Sequence, residues 1–104
     1  MIVTTTETVP GREIADVLGL ARGNAVRARF VAFDIVAGLR NMIGGEIDEY
    51  SRLMSETREQ AMQRMLAHAS QMGADAIVVM RFGSSSIAQQ SSEVFAYGTA
   101  VRLK

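Results

Sequence analysis

Two stretches of the chain repeat apolar residues at the spacing of an α-helix. In residues 30–43 the apolar positions include 32, 35, 36, 39 and 43, and Gly44-Gly45 follows, so the pattern predicts a helix that ends at the two glycines. Residues 47–72 predict a longer helix, which Gly73 ends. Its apolar stripe covers nearly half of the circumference and consists of Tyr50, Met54, Thr57, Ala61, Met62, Met65, Leu66, His68, Ala69 and Met72.

Four other stretches have the length and the β-branched content of strands. They are residues 2–6, 14–21, 76–82 and 94–103. Pro10-Gly11 predicts a turn, Gly23-Asn24 is expected to end the second strand, and the polar, uncharged residues 83–92 predict an exposed hairpin loop. In the last strand one face carries Phe95, Tyr97, Thr99, Val101 and Leu103, and the other carries the smaller Val94, Ala96, Gly98 and Ala100.

The order of these elements, β-β-α-α-β-β, predicts the α+β class. We expect a single domain over residues 1–104, with a small antiparallel sheet packed by one long helix. The wide apolar arc of that helix and the apolar strands give more surface than one small sheet can cover, so we expect a homo-oligomer. The alternative is that the first helix covers the second sheet face within one chain.

Charge and composition exclude several classes of function. Eleven basic and eleven acidic residues give a formal net charge of zero, so we expect neither nucleic acid nor a membrane as a partner. The chain has no cysteine, which excludes disulfides, thiolate metal sites and cysteine nucleophiles. No signal-peptide pattern occurs, and no run of about 18 apolar residues is present. The expected location is the cytoplasm.

Two groups of residues are candidate metal ligands. Glu46, Asp48 and Glu49 form an acidic segment that a divalent cation could bind if a ring of subunits repeated it, but acidic residues also suit the N-terminus of a helix. His68 is the only histidine, so a zinc site would need several subunits to bring their copies together. We interpret His68 as a packed residue near a subunit boundary. No cofactor is predicted, although a divalent metal stays a hypothesis.

Other polar positions support ligand binding or structure more than catalysis. Asp75 is expected to bond nearby backbone N–H groups in a turn. Arg22, Arg27 and Arg29 form a basic segment that could attract anions, or it is a solvated edge. No nucleophile, base and orienting acid form a recognisable motif, and no phosphate-binding loop is present, so we expect a protein that is not an enzyme.

Several motifs together resemble the YbjQ family of small bacterial and archaeal proteins, often labelled as heavy-metal-binding. They are "MIVTTTETVPG", "DIVAGLRNMIGGEIDEY", "REQAM", "GADAIV" and "YGTAV", and they extend over almost the whole chain. The resemblance implies a dodecin-like subunit and a ring-shaped homopentamer. Many members carry an arginine where this chain has Glu46. The matching positions, interpreted as turn or subunit contacts, are Asp34, Arg40, Gly44, Gly45, Tyr50, Arg58, Gly73, Asp75 and Gly98.

Two functions follow as hypotheses. The first is a non-enzymatic oligomer that binds a metal ion or a small ligand at its subunit interfaces. The second is a structural or interaction module that presents the predicted 83–92 loops to a protein partner.

Overall fold

A computed structural model describes residues 1–28, 46–88 and 91–104 of the chain. It confirms the α+β class, with four strands and one helix in that part of the chain. The strands are β1 (Ile2–Val3), β2 (Ile14–Ala28), β3 (Ala76–Ala88) and β4 (Ser91–Leu103), and the helix is α1 (Glu46–Gln71). The long helix is therefore confirmed to within one residue at each end. The helix predicted over residues 30–43 lies outside the described residues.

The four strands form one mixed sheet in the order β1-β3-β4-β2. The prediction of a wholly antiparallel sheet was wrong, because β1 runs parallel to β3, with Ile2 opposite Ala76. The predicted first strand also stops at Val3 rather than at residue 6. Its continuation still bonds to β3, since the Thr4 amide donates to the Ile77 carbonyl (2.9 Å) and the Met80 amide donates to the Thr4 carbonyl (3.0 Å).

Strand β2 continues past the glycine that was expected to end it. Gly23-Asn24 does not stop the strand, which pairs with β4 as far as Ala28. Gly23 lies where α1 crosses β2: a Cβ atom built there would lie 2.5 Å from the Ala61 carbonyl oxygen and 2.7 Å from the Arg64 carbonyl carbon. The glycine is therefore a point of close backbone contact with the helix rather than a turn residue.

Residues 83–92 are strand as far as the structure describes them, so the predicted loop was wrong. Strand β3 extends to Ala88 and β4 begins at Ser91, with Ser85 opposite Glu93 in the pairing. The serine-rich sequence misled the prediction because polar residues are common in loops, whereas here they extend a long antiparallel ribbon.

A bulge in β3 explains why Gly98 has no side chain. The pairing shifts between Val78 and Arg81, and Val79 in this bulge has a φ of 55°, which is unusual for a β-branched residue. A Cβ atom on Gly98 would lie 2.6 Å from the Ile77 side chain and 3.1 Å from the Val78 carbonyl oxygen. The bulge therefore crowds the partner strand, and only glycine fits opposite it.

The core lies between the sheet and α1. Buried residues of this cluster are small on the β2 side, and they include Ala21, Ala25, Ala61, Met65, Ala69, Ile77, Met80, Val94, Ala96 and Ala100. A second, smaller cluster lies on the opposite face, which we call the outer face, and consists of Val9, Ala76, Val78, Val101 and Leu103. Among the described residues, the segment that contains Val9 covers one end of the outer face, and Val17, Leu20 and Val26 are exposed on the rest of it.

No helix in the described part of the chain is long and apolar enough to span a membrane.

Helix α1 ends in a paired cap: the Gly73 amide donates to the Ser70 carbonyl (3.0 Å) and the Ala74 amide donates to the Ala69 carbonyl (3.1 Å). Gly73 has a φ of 81°, the left-handed conformation that this cap requires. The cap turns the chain directly into β3.

Replacing Gly23 by alanine should lower the free energy of unfolding by about 3 kcal/mol, because the added methyl group meets helix backbone that cannot rotate away. The matched control is Gly11→Ala. Gly11 has a φ of 83° and no atom within 4 Å of a built Cβ, so that variant should lose only about 1 kcal/mol through backbone strain. Urea unfolding measures both. Equal losses would contradict a packing role for Gly23.

Candidate functional site

A cleft of about 660 Å³ opens on the outer face and reaches the free edge of β2. We call it the outer cleft. It is lined by Leu20, Arg22, Gly23, Asn24, His68, Glu93, Phe95, Ala96 and Tyr97. Its walls come from the β2–β4 pair, which sets the spacing of the side chains, and from α1, which contributes His68. The volume is in the range of sites that bind small organic molecules.

Strand pairing arranges the outer cleft as two neighbouring cross-strand pairs. Arg22 lies opposite Tyr97, and Asn24 lies opposite Phe95. Since side chains alternate along a strand, these four project to the same face. The rings of Phe95 and Tyr97 lie side by side, with centroids 6.0 Å apart and planes tilted by 31°. The Phe95 ring also covers Gly83 of β3, where a Cβ atom would collide with it, so this ring is held in place.

Two side chains of α1 bond to the outward-facing backbone of β2. The Arg22 amide donates to His68 Nδ1 (3.1 Å), and Arg64 Nη1 donates to the Asn24 carbonyl (2.7 Å). His68 and Arg64 are one helical turn apart, so they lie on the same side of α1. Together they satisfy an unpaired donor and an unpaired acceptor of an edge strand that would otherwise be open to another strand.

The hydrogen bond from the Arg22 amide determines which nitrogen of the neutral His68 ring carries the proton. An imidazole nitrogen that accepts a hydrogen bond from an amide carries the lone pair, so in the neutral ring the proton is on Nε2. A histidine that binds a metal usually donates from one nitrogen and coordinates through the lone pair of the other. In this arrangement the lone pair is already used by the protein, and His68 offers only an N–H donor to a ligand.

The charged groups of the outer cleft are one cation and one anion. Asn24 Nδ2 donates to Glu93 Oε2 (3.1 Å), which draws the carboxylate toward Asn24. Within the described residues, no ion pair or side-chain hydrogen bond occupies the guanidinium of Arg22, whose side chain is exposed. Arg22 is therefore available to bind an anionic group in the cleft.

The other predicted structural residues lie away from the outer cleft. Asp75 was predicted to bond nearby backbone N–H groups in a turn. Its carboxylate instead accepts from the Leu103 amide (2.9 Å), which is distant in sequence, and so joins the end of β4 to the start of β3. Arg58 donates to Ser55 (3.0 Å) and lines a smaller depression with Phe82. Gly73 caps α1, and Gly98 lies opposite the bulge, as described above.

The remaining predicted positions divide into two groups. The first turns of α1 contain Glu46, Asp48, Glu49 and Tyr50. Acidic residues at the N-terminus of a helix were the structural interpretation of Glu46, Asp48 and Glu49. Asp34, Arg40, Gly44 and Gly45 lie outside the described residues, as does Arg29 of the basic segment. The structure thus brings none of these together with His68 in the part of the chain that it describes.

The described residues do not fit a heavy-metal ion. No group of three or more His, Cys, Asp or Glu side chains among them could hold a metal, and the whole sequence lacks cysteine. Soft metal ions prefer thiolate and imidazole ligands. The imidazole of His68 has its lone pair directed at the Arg22 amide. The chemistry of the donors in this part of the chain therefore does not match what a soft metal ion prefers.

Sequence reasoning missed most of the outer cleft. It found the alternation that puts Phe95 and Tyr97 on one face, but it ended β2 before Asn24 and so had no partner strand for them. Leu20 and Glu93 were also not recognised. The signal that could have found them is the continued alternation of residues 20–26, where the even positions carry the larger side chains.

Comparison with known proteins identifies relatives along the whole chain. A family model described as "Putative heavy-metal-binding" (YbjQ_1) matches residues 1–104. A UPF0145 protein of Archaeoglobus fulgidus is 51% identical over 104 residues, with 100% of this chain and 96% of the relative covered. A UPF0145 protein of Vibrio parahaemolyticus is 52% identical over 103 residues and covers 99% and 98% of the two chains.

A solved structure shares the fold. It is a crystal structure of a protein of unknown function from Pediococcus pentosaceus that belongs to the DUF74 family. The TM-score is 0.67 with 16% sequence identity, and the match covers 100% of this chain and 98% of the other. At that identity the likeness concerns the fold alone.

Removing the imidazole should expose the edge of β2. His68→Ala should speed hydrogen exchange of the Arg22 amide and lower the free energy of unfolding by about 1 kcal/mol, because one hydrogen bond is lost. His68→Asn keeps an acceptor near the position of Nδ1 and should restore part of the protection. Gln71→Ala, at an exposed site on α1, is the control. Unchanged exchange at Arg22 in His68→Ala would contradict the assignment.

Metal uptake should not depend on His68. After dialysis against Zn²⁺ or Cu²⁺, elemental analysis of untagged protein should find the same metal content in the natural protein and in His68→Ala, because the lone pair of Nδ1 is engaged. Stoichiometric uptake that disappears in His68→Ala would show that the imidazole turns to coordinate a metal.

Proposed function

The chain belongs to the UPF0145 family, and from this premise we propose that it is a self-assembling, non-enzymatic protein that binds a small organic ligand in the outer cleft. The observation that carries the proposal is the cleft itself: about 660 Å³, lined by two adjacent aromatic rings, a guanidinium with no partner among the described residues, and an imidazole whose Nδ1 accepts from a backbone amide. Apolar walls with a few convergent polar groups are typical of ligand sites. We expect the protein to act in the cytoplasm.

Exposed apolar side chains support self-assembly. On β2, Val17 is 69% exposed, Leu20 is 55% exposed and Val26 is 47% exposed, and the pairing puts all three on the outer face. Such a row is costly in water and is usually covered by another molecule. Because Leu20 also lines the outer cleft, a second subunit on this face would lie next to the ligand.

The dimensions of the chain support the same proposal. They are 56 × 25 × 16 Å, and the radius of gyration is 17.2 Å. A compact domain of this length has a radius of gyration of about 13 Å. The long sheet and the helix of the described residues bury little surface by themselves, whereas several copies side by side would bury more. The ring-shaped pentamer of dodecin-like subunits that the resemblance implies is one such assembly, and we adopt it as part of the proposal.

The residues of the outer cleft are suited to binding rather than to catalysis. Its histidine uses its lone pair on a backbone amide, so the imidazole is not a free base for proton transfer, and no serine or threonine is among the described residues that line the cleft. Its single carboxylate, Glu93, is hydrogen-bonded by Asn24. We therefore propose a carrier or sensor of its ligand rather than an enzyme.

A second candidate function is an interaction module that uses the β3–β4 hairpin. Phe82 is 44% exposed beside Met54 and Arg58, and these residues line a depression of about 190 Å³. An exposed aromatic ring next to an arginine is the kind of anchor that protein interfaces use. Under this second hypothesis the partner would bind the surface of strands β3 and β4 rather than a loop, since residues 83–88 and 91–92 belong to these strands.

Light scattering should find a mass that is a multiple of 11.3 kDa in dilute, folded protein. Leu20→Asp should shift the assembly toward the single chain by at least about tenfold in dissociation constant, because a buried, unpaired carboxylate costs more than 1.4 kcal/mol. Thr8→Asp adds the same charge at an exposed polar position and should leave the mass unchanged. A measured mass of about 11 kDa for the natural protein in solution would disprove self-assembly.

A further inference from the structure

We infer that the outer cleft takes a planar aromatic molecule with a single anionic group, whose ring lies against Phe95 and Tyr97 and whose anion binds Arg22. This inference rests on the proposed function and adds the chemical class of the ligand. Three features of the described residues support it independently: the arrangement of the rings, the two donors in the lining and the presence of the Glu93 carboxylate.

The two rings form a continuous apolar platform. Phe95 and Tyr97 are two positions apart on β4, and their centroids are 6.0 Å apart with planes tilted by only 31°. Phe95 is held over Gly83, and Tyr97 is 38% exposed toward the cleft. Aromatic rings prefer offset stacking or edge contacts with other rings, so a flat aromatic ligand would gain more here than a branched aliphatic one of the same area.

Two of the polar groups next to this platform are donors, the Arg22 guanidinium and the His68 imidazole N–H. Arg22 lies directly opposite Tyr97 in the β2–β4 pairing, and its guanidinium has no partner among the described residues. The Arg22 amide occupies Nδ1 of His68, so the neutral imidazole offers its Nε2–H. A guanidinium binds a carboxylate through two parallel hydrogen bonds, which favours a planar oxyanion over a neutral polar group.

Glu93 limits the charge of the ligand. Its carboxylate lies in the same cleft and accepts a hydrogen bond from Asn24. Asn24 pairs with Phe95, and this pair is the neighbour, on the same face, of the Arg22–Tyr97 pair. A second negative group on the ligand would meet this carboxylate, and the described residues that line the cleft include no cation besides Arg22 to offset it. The site therefore favours an aromatic monoanion over polyanions such as nucleotides.

Three naphthalene probes test the inference: 2-naphthoate, the uncharged 2-naphthalenemethanol and the dianion 2,6-naphthalenedicarboxylate. By calorimetry, 2-naphthoate should bind about tenfold more tightly than the alcohol, as a charge-assisted hydrogen bond contributes. It should also bind more tightly than the dianion. Amide shifts in ¹H–¹⁵N spectra should concentrate on residues 20–24 and 93–97.

Two variants and a control identify the groups responsible. Arg22→Gln removes the cation but keeps the backbone amide that bonds His68, so it should abolish the preference for 2-naphthoate over the alcohol. Tyr97→Leu should weaken both probes, because the platform loses a ring. Arg102→Gln is the control: Arg102 lies 3.8 Å from Asp16 and does not line the cleft, so binding should be unchanged.

The possible failures are distinguishable. Equal affinity for 2-naphthoate and the alcohol, tighter binding of the dianion, or an Arg22→Gln variant that keeps the preference would each overturn the ligand class while the cleft stays a binding site. If none of the three probes binds or shifts the amides of the cleft, both the ligand class and the proposed function are wrong.

Discussion

The close contact between α1 and β2 at Gly23 determines the rest of the structure. Helix backbone can approach strand backbone this closely only because the facing side chains are absent or small, with Ala21 and Ala25 on the strand and Ala61 on the helix. The contact draws α1 over the edge of the sheet rather than over its centre. Helix side chains can then reach past the edge strand, and this is how His68 comes to bond the Arg22 amide.

An edge strand bonded by a helix is protected in one segment and open elsewhere. His68 and Arg64 occupy one donor and one acceptor of β2, and a strand from another molecule could not pair there without displacing them. Among the described residues, the Val9 segment covers one end of the outer face, and Val17 and Leu20 on the rest of that face are exposed. In the described part of the chain, the outer cleft and the exposed apolar row on β2 are thus both consequences of the same one-sided packing.

The sequence predicted the parts of this fold that depend on local periodicity. The 3.6-residue repeat located α1, and runs of branched residues located most of the four strands. It failed where tertiary contacts override local preference: Gly23 suggests a turn but fits against a helix, and Ser84 to Ser86 suggest a loop but pair across a ribbon. The outer cleft needed the register of β2 against β4, which no single segment contains.

The heavy-metal label of the family and the residues of this chain point to different chemistry, and one hydrogen bond decides between them. A neutral imidazole has one ring nitrogen that can accept a hydrogen bond or bind a metal. In His68 this nitrogen is Nδ1, and it accepts a hydrogen bond from the Arg22 amide. The same bond leaves an N–H as the only group that the ring can offer to the cleft, beside the guanidinium of Arg22. The Arg22 guanidinium and this N–H are both donors, so they favour an anionic group on their side of the cleft, whereas the Glu93 carboxylate in the same cleft disfavours a second one.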